Sequence, residues 1–153
     1  MSENKWAVRK KFALASGVVF AFSLSQTCYY TGKEGSIGFL VFIFGWMGFA
    51  MGSGAAISWF ANPLLAFSIY IARKNQKLAL FSSIASFLLS FSFLLFDSVV
   101  ANEGGGSQTI TSIGIGYWTW LASHLIWMAA MFYTFEREGK PSAGPEDRTR
   151  YLH

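Results

Sequence analysis

The chain is poor in cysteine, proline and acid: one Cys, three Pro and eight Asp or Glu in 153 residues. A single thiol, Cys28, excludes an intramolecular disulfide framework and any cysteine-cluster metal site. No Ser, Cys, Asp or Glu stands beside a base in a nucleophilic or acid–base pattern, and no nucleotide-binding or metal signature occurs. No catalytic residue, cofactor or metal is therefore expected. Charge of either sign is also scarce, at 13% against about a quarter in soluble domains, while 53% of the residues are hydrophobic. The long apolar runs lack the polar stripe at helical period that a soluble helical bundle needs.

What is present is a series of apolar runs with basic residues at the seams. Lys5, Arg9, Lys10 and Lys11 precede the first run, Arg73, Lys74 and Lys77 fall between runs, and Arg137, Lys140, Arg148 and Arg150 follow the last. Four membrane crossings put eleven of the twelve on one side and leave Lys33 alone on the other. Lys and Arg in short loops resist translocation, so both termini are expected in the cytoplasm and the protein in a membrane, the bacterial cytoplasmic membrane. The same topology accounts for the net charge of +4 without a nucleic-acid partner, since the basic residues form no basic–aromatic stripe. The basic start and the run Ala13 to Ser25 before Cys28 superficially resemble a lipoprotein signal. Ser25 and Thr27 fit its small-residue pattern poorly, so an uncleaved helix is expected.

The runs place crossings at about residues 12–30, 37–60, 78–96 and 113–135. The stretch Ser36 to Ala72 is 37 residues, about 55 Å as a straight helix against a hydrocarbon core of roughly 30 Å. Counting it as two crossings would leave four basic residues inside and eight outside, so it is read as one crossing plus a short piece, 64–72. The break is assigned to Asn62-Pro63, because proline removes a backbone donor and disfavours helix at the residue before it. The short piece is either interfacial or re-entrant. The expected fold class is thus an all-α integral membrane protein, a four-transmembrane-helix bundle with a broken second segment. Residues 1–135 form the membrane domain and 136–153 a mobile cytoplasmic tail, with Gly104-Gly105-Gly106-Ser107 as a flexible centre in the outer loop.

Small residues recur every fourth position: Ala13, Gly17, Ala21 and Ser25, then Gly48, Gly52 and Ala56, then Ser82, Ser86 and Ser90. Such faces let membrane helices approach closely, within one bundle or across a self-associated pair. The polar groups expected at depth are His124, Asn62, Gln26 and Asp97. His124, near the midplane of the last crossing, is either a neutral hydrogen-bonded core residue or a titrating group on a path. The leading functional expectation is a small non-enzymatic subunit or accessory protein of a larger membrane assembly, in contact with the bilayer and with other subunits or copies of itself. Its 28 aromatic residues offer contact area for this. The alternative is a small oligomeric transporter or channel whose path passes His124 and Asn62-Pro63. A membrane enzyme acting on a lipid-soluble substrate comes third.

Overall fold

The computed structural model describes residues 3–100 and 106–136. Helix α1, Glu3–Leu24, starts well before the apolar run, because Lys, Arg and Ala are good helix formers and carry it through the basic segment. It ends where the Ser25 hydroxyl turns back onto the Phe22 carbonyl (2.8 Å). The expected helix through Tyr30 and the loop after it are replaced by a hairpin. Thr27–Thr31, β-branched and aromatic, forms β1, and Glu34–Ile37 forms β2, paired antiparallel across a turn in which Gly32 takes φ 65°. A later strand, Ser112–Ile113, covers the other edge of β1.

Helix α2, Gly38–Ala50, has 13 residues and spans about 20 Å, short of a hydrocarbon core. The chain reverses at Met51–Ser53, where Gly52 takes φ 81° and Ser53 N–H donates to the Gly48 carbonyl (2.8 Å). A 3-10 segment, Gly54–Phe60, then runs directly into α3, Ala61–Ile71. This corrects the expected break. Asn62-Pro63 does not end a long helix; Pro63 falls in the first turn of α3, where a missing N–H costs least, and Asn62 Nδ2 caps the Trp59 carbonyl (2.9 Å). The second helix therefore stops at Ala50 rather than Phe60, and residues 64–72 continue the rod begun at Gly54.

Helix α4, Gln76–Ser92, is capped by Asn75, whose Oδ1 accepts from Leu78 N–H (3.0 Å), and closes with a 3-10 turn, Phe93–Leu95. Strands β3, Ser98–Val100, and β4, Ser107–Thr109, pair antiparallel, so the expected open loop is partly a ribbon. Strand β5, Ser112–Ile113, gives the sheet order β2-β1-β5, and α5, Ile115–Glu136, completes the described chain. Residues 101–105, within the glycine-rich centre, and the tail 137–153 with its four basic residues lie outside the described residues.

The protein is mostly helical, but not all-α: two small sheets lie beyond the ends of α1 and α4. Among the described residues two stretches, Gly54–Ile71 and Gln76–Leu95, are long and apolar enough to cross a membrane. α1 and α5 have 22 residues each, but basic residues crowd the first half of α1, and indoles, hydroxyls and His124 dilute α5. α1 packs along α5, α5 along α4, and α4 along α3.

Hydroxyls tie these pairs together. Ser16 donates to the Ser123 carbonyl (2.8 Å), Ser68 to that of Ala79 (2.6 Å) and Ser86 to that of Ala61 (2.8 Å), while Tyr117 reaches the Ser90 carbonyl (3.0 Å). Trp127 Nε1 donates to Ser68 Oγ (2.8 Å). At the end opposite the sheets, fully buried Arg9 donates to Thr134 Oγ1 and to the Ala72 carbonyl, both at 3.0 Å. These bonds bring the basic start of α1, the α3–α4 turn and the end of α5 together.

The tightest backbone approach is at the other end. A Cβ on Gly114 would fall on the Thr27 carbonyl, and one on Gly38 would lie 2.5 Å from the Ser23 carbonyl. Gly38→Ala and Gly114→Ala are each expected to lower unfolding stability in detergent by about 1–3 kcal/mol, because the facing atom is backbone and cannot turn away. Gly17→Ala, with nothing within 4 Å of the new carbon, should be neutral or stabilise by up to about 1 kcal/mol. Thermal unfolding followed by circular dichroism checks the contrast, and equal behaviour of the three variants would remove the close approach.

Candidate functional site: an uncharged aromatic cavity

The small residues sort into three roles. On α1 the buried line is Ser16 and Ser23 with partly buried Ala13 and Phe20, whereas Gly17, Ala21 and Ser25 are exposed. Gly52 is a turn residue. Gly48 and Ala56 face each other within the hairpin made by α2 and the 3-10 segment, where a Cβ on Gly48 would lie 3.1 Å from that of Ala56. On α4, Ser82, Ser86 and Ser90 are buried.

That hairpin forms one wall of a cavity. Gly45 leaves room for the Trp59 indole, to which an added Cβ would come within 2.6 Å, and Trp59 Nε1 donates to the Phe42 carbonyl (2.7 Å). Across from it stand α1 and α5 with Phe20, Tyr117 and Trp120, and the β-strands contribute Cys28, Tyr29 and Val99. The cavity is partly open and its volume is about 420 Å³, within the range of small-molecule sites. Among the described residues no charged side chain and no imidazole lines it. Burial pushes the Cys28 thiol up to about 11, so it remains S–H near neutral pH and is no activated nucleophile.

Asn62 and His124 flank this cavity at its deep end. Asn62 Oδ1 accepts from Trp120 Nε1 (2.8 Å) while its Nδ2 holds the Trp59 backbone carbonyl, so one amide joins the Trp120 indole to the backbone that carries Trp59. His124 is fully buried behind Trp120, whose ring meets it edge-on at 4.9 Å between centroids. Its Nδ1 lies 2.9 Å from the Trp120 carbonyl and 3.2 Å from Ser123 Oγ, and the carbonyl, which can only accept, assigns a proton to Nδ1. Nε2 lies toward the Ala61 carbonyl, already taken by Ser86, without reaching hydrogen-bond geometry. The other two candidates are peripheral. Gln26 Nε2 bonds Ser25 Oγ (3.0 Å) in the turn after α1, and Asp97 is exposed before β3 with its carbonyl accepting from Ile110 N–H (2.8 Å).

Sequence reasoning missed the cavity itself. The usable signal was Gly45 and Gly48, two glycines on one face of α2, close before a Trp and an Ala that return to fill the space. Among the described residues no cluster of three or more His, Cys, Asp or Glu could hold a metal ion. No protein-family model, curated protein or solved structure matches this chain.

The amide bridge generates a testable contrast. Asn62→Leu strands the Trp120 N–H in an aromatic wall and is expected to cost about 1–3 kcal/mol, the penalty of an unsatisfied donor. Adding Trp120→Phe removes that donor, so the double variant should lose less than the two single losses added together. Denaturation of the four proteins in detergent measures the coupling, and strict additivity would show that the bridge contributes nothing.

Proposed function

We propose that the chain is a non-enzymatic integral membrane protein that crosses the bilayer four times, with α1, the rod Gly54–Ile71, α4 and α5 as the crossings, and that it serves as a small subunit or accessory protein of a larger membrane assembly. The observation that carries the topology is the gathering of basic residues at one end. Arg73 lies 4.4 Å above the Trp6 ring, Lys10 sits 5.5 Å from it, and Arg9 bridges α1 to Ala72 and Thr134. Lys33 lies at the opposite end, in the β1–β2 turn. That division supports a cytoplasmic basic end and an external sheet end.

The accessory role is supported by α2. It is too short to cross, yet Phe39, Leu40, Ile43, Phe44, Trp46 and Phe49 are all exposed on it, an apolar surface of the kind that meets lipid or another membrane chain. The transporter reading has less support: His124 is enclosed by Trp120 and Phe20, its Nδ1 is engaged with backbone, and among the described residues no charged side chain lines the adjoining cavity.

Cysteine scanning on a Cys28→Ser background tests the topology. Ser107→Cys in β4 should react with a membrane-impermeant maleimide on intact cells, and Lys74→Cys only after permeabilisation. Reaction of Lys74→Cys from outside overturns the four-crossing arrangement. Native mass of the complex in mild detergent tests the role: a hetero-assembly of fixed stoichiometry supports it, and a monomer or closed homo-oligomer opposes it.

A further inference from the structure

We propose that the cavity beneath the β-sheet is a binding site for a neutral, lipid-soluble ring compound carrying one or two hydroxyl or carbonyl oxygens. The inference rests on the membrane reading only for the source of the ligand, which would enter from the bilayer. Four features of the cavity define the chemistry.

Among the described residues its lining holds no charged group, so an anion or cation would be desolvated there without a counter-charge from them. Its walls are the rings of Phe20, Phe42, Trp59, Phe93, Tyr117 and Trp120, and aromatic faces favour a flat partner in offset or edge-on contact over a flexible chain. More than half of its side-chain donors are already used. Trp59, Trp120, Asn62, Ser23, Ser58 and Tyr117 each donate within the protein. Among the described residues the Ser53 hydroxyl, the Cys28 thiol and the paired hydroxyls of Tyr29 and Ser36 are the further polar groups of the lining, enough for one or two polar atoms of a ligand. Finally, the volume of about 420 Å³ accommodates a ring system.

Two sources share this chemistry, quinones and sterol-like alcohols, and they are separable by probe. Cys28 reports occupancy, since it lines the cavity and is the sole cysteine of the chain. The experiment follows alkylation of Cys28 by N-ethylmaleimide at pH 9 in the full-length protein in detergent, with decylubiquinone, cholesterol or hexadecanol added. A quinone or sterol ligand should slow alkylation about tenfold in a saturable manner, whichever of the two protects naming the source, while hexadecanol, an unbranched chain with the same single hydroxyl, should not.

Val41→Trp fills the cavity from α2 and should abolish the protection, with Val41→Phe as the milder substitution should the first not fold. Native mass spectrometry of the unsubstituted protein should show one added ligand mass. Absence of protection by both ring compounds, equal protection by hexadecanol, or full protection in a folded Val41→Trp protein each overturns the site. Failure of the topology itself is read separately, from labelling of Lys74→Cys.

Discussion

Close approach of helix backbones along a seam of small hydroxyl residues is the constraint on which the rest of this structure depends. The protein is inverted relative to a water-soluble domain: Leu14, Phe81 and Leu95 are at least 70% exposed, whereas Ser16, Ser68, Ser86, Ser90 and Ser123 are buried. Between helices in lipid there is no hydrophobic gain to be had, because the tails are as apolar as the side chains; association rests on packing and interhelical hydrogen bonds. Serine serves both, being small enough for close backbone contact and able to donate to a carbonyl across the gap. Where the seam meets larger groups, each finds a partner within it, as Trp127 does on Ser68 and Arg9 on Thr134. The cavity lies where the seam gives out, at the sheet end, and aromatic rings take over as walls.

Part of this was legible. The apolar runs and their basic seams mark α4 and α5 to within a few residues, because an uninterrupted run bounded by charge admits few other placements. The inward face of α4 was also visible as Ser82, Ser86 and Ser90. The corresponding reading of α1 chose Gly17, Ala21 and Ser25, which are exposed, over Ser16 and Ser23. Strict four-residue steps drift about 40° each around a helix of 3.6 residues per turn, so a longer face must mix threes and fours, as Ala13, Ser16, Phe20 and Ser23 do.

The second segment shows where local rules compete. Proline was weighted as the breaker, but in a first helical turn it removes an N–H that has no intrahelical partner. The reversal was set instead by Gly52, whose positive φ a side chain would resist. The strands were hidden for a different reason. Thr27–Thr31 continues an apolar run and looks like its final turn; pairing with Glu34–Ile37 across the hairpin and with Ile113, more than eighty residues away, together with the close approach of Gly114 and Gly116 to the Thr27 carbonyl, makes it a strand. The cavity depends on the same distant contacts, which is why Asn62 was noticed as a helix break before it was understood as the bridge from the Trp120 indole to the Trp59 backbone carbonyl.

The inverted seam and its proposed bilayer setting are tested most directly by photolabelling the protein reconstituted in vesicles that contain a diazirine-bearing phospholipid, with the adducts located by peptide mass spectrometry. Lipid adducts are predicted on Leu14, Val18, Phe81, Leu88 and Leu95, the large exposed side chains of α1 and the α4 rod, and none on Ser16, Ser86, Ser90 or Ser123. Adducts on those serines, or an absence of adducts from α1 and α4, would contradict a protein that turns its bulky side chains to lipid and its hydroxyls to itself.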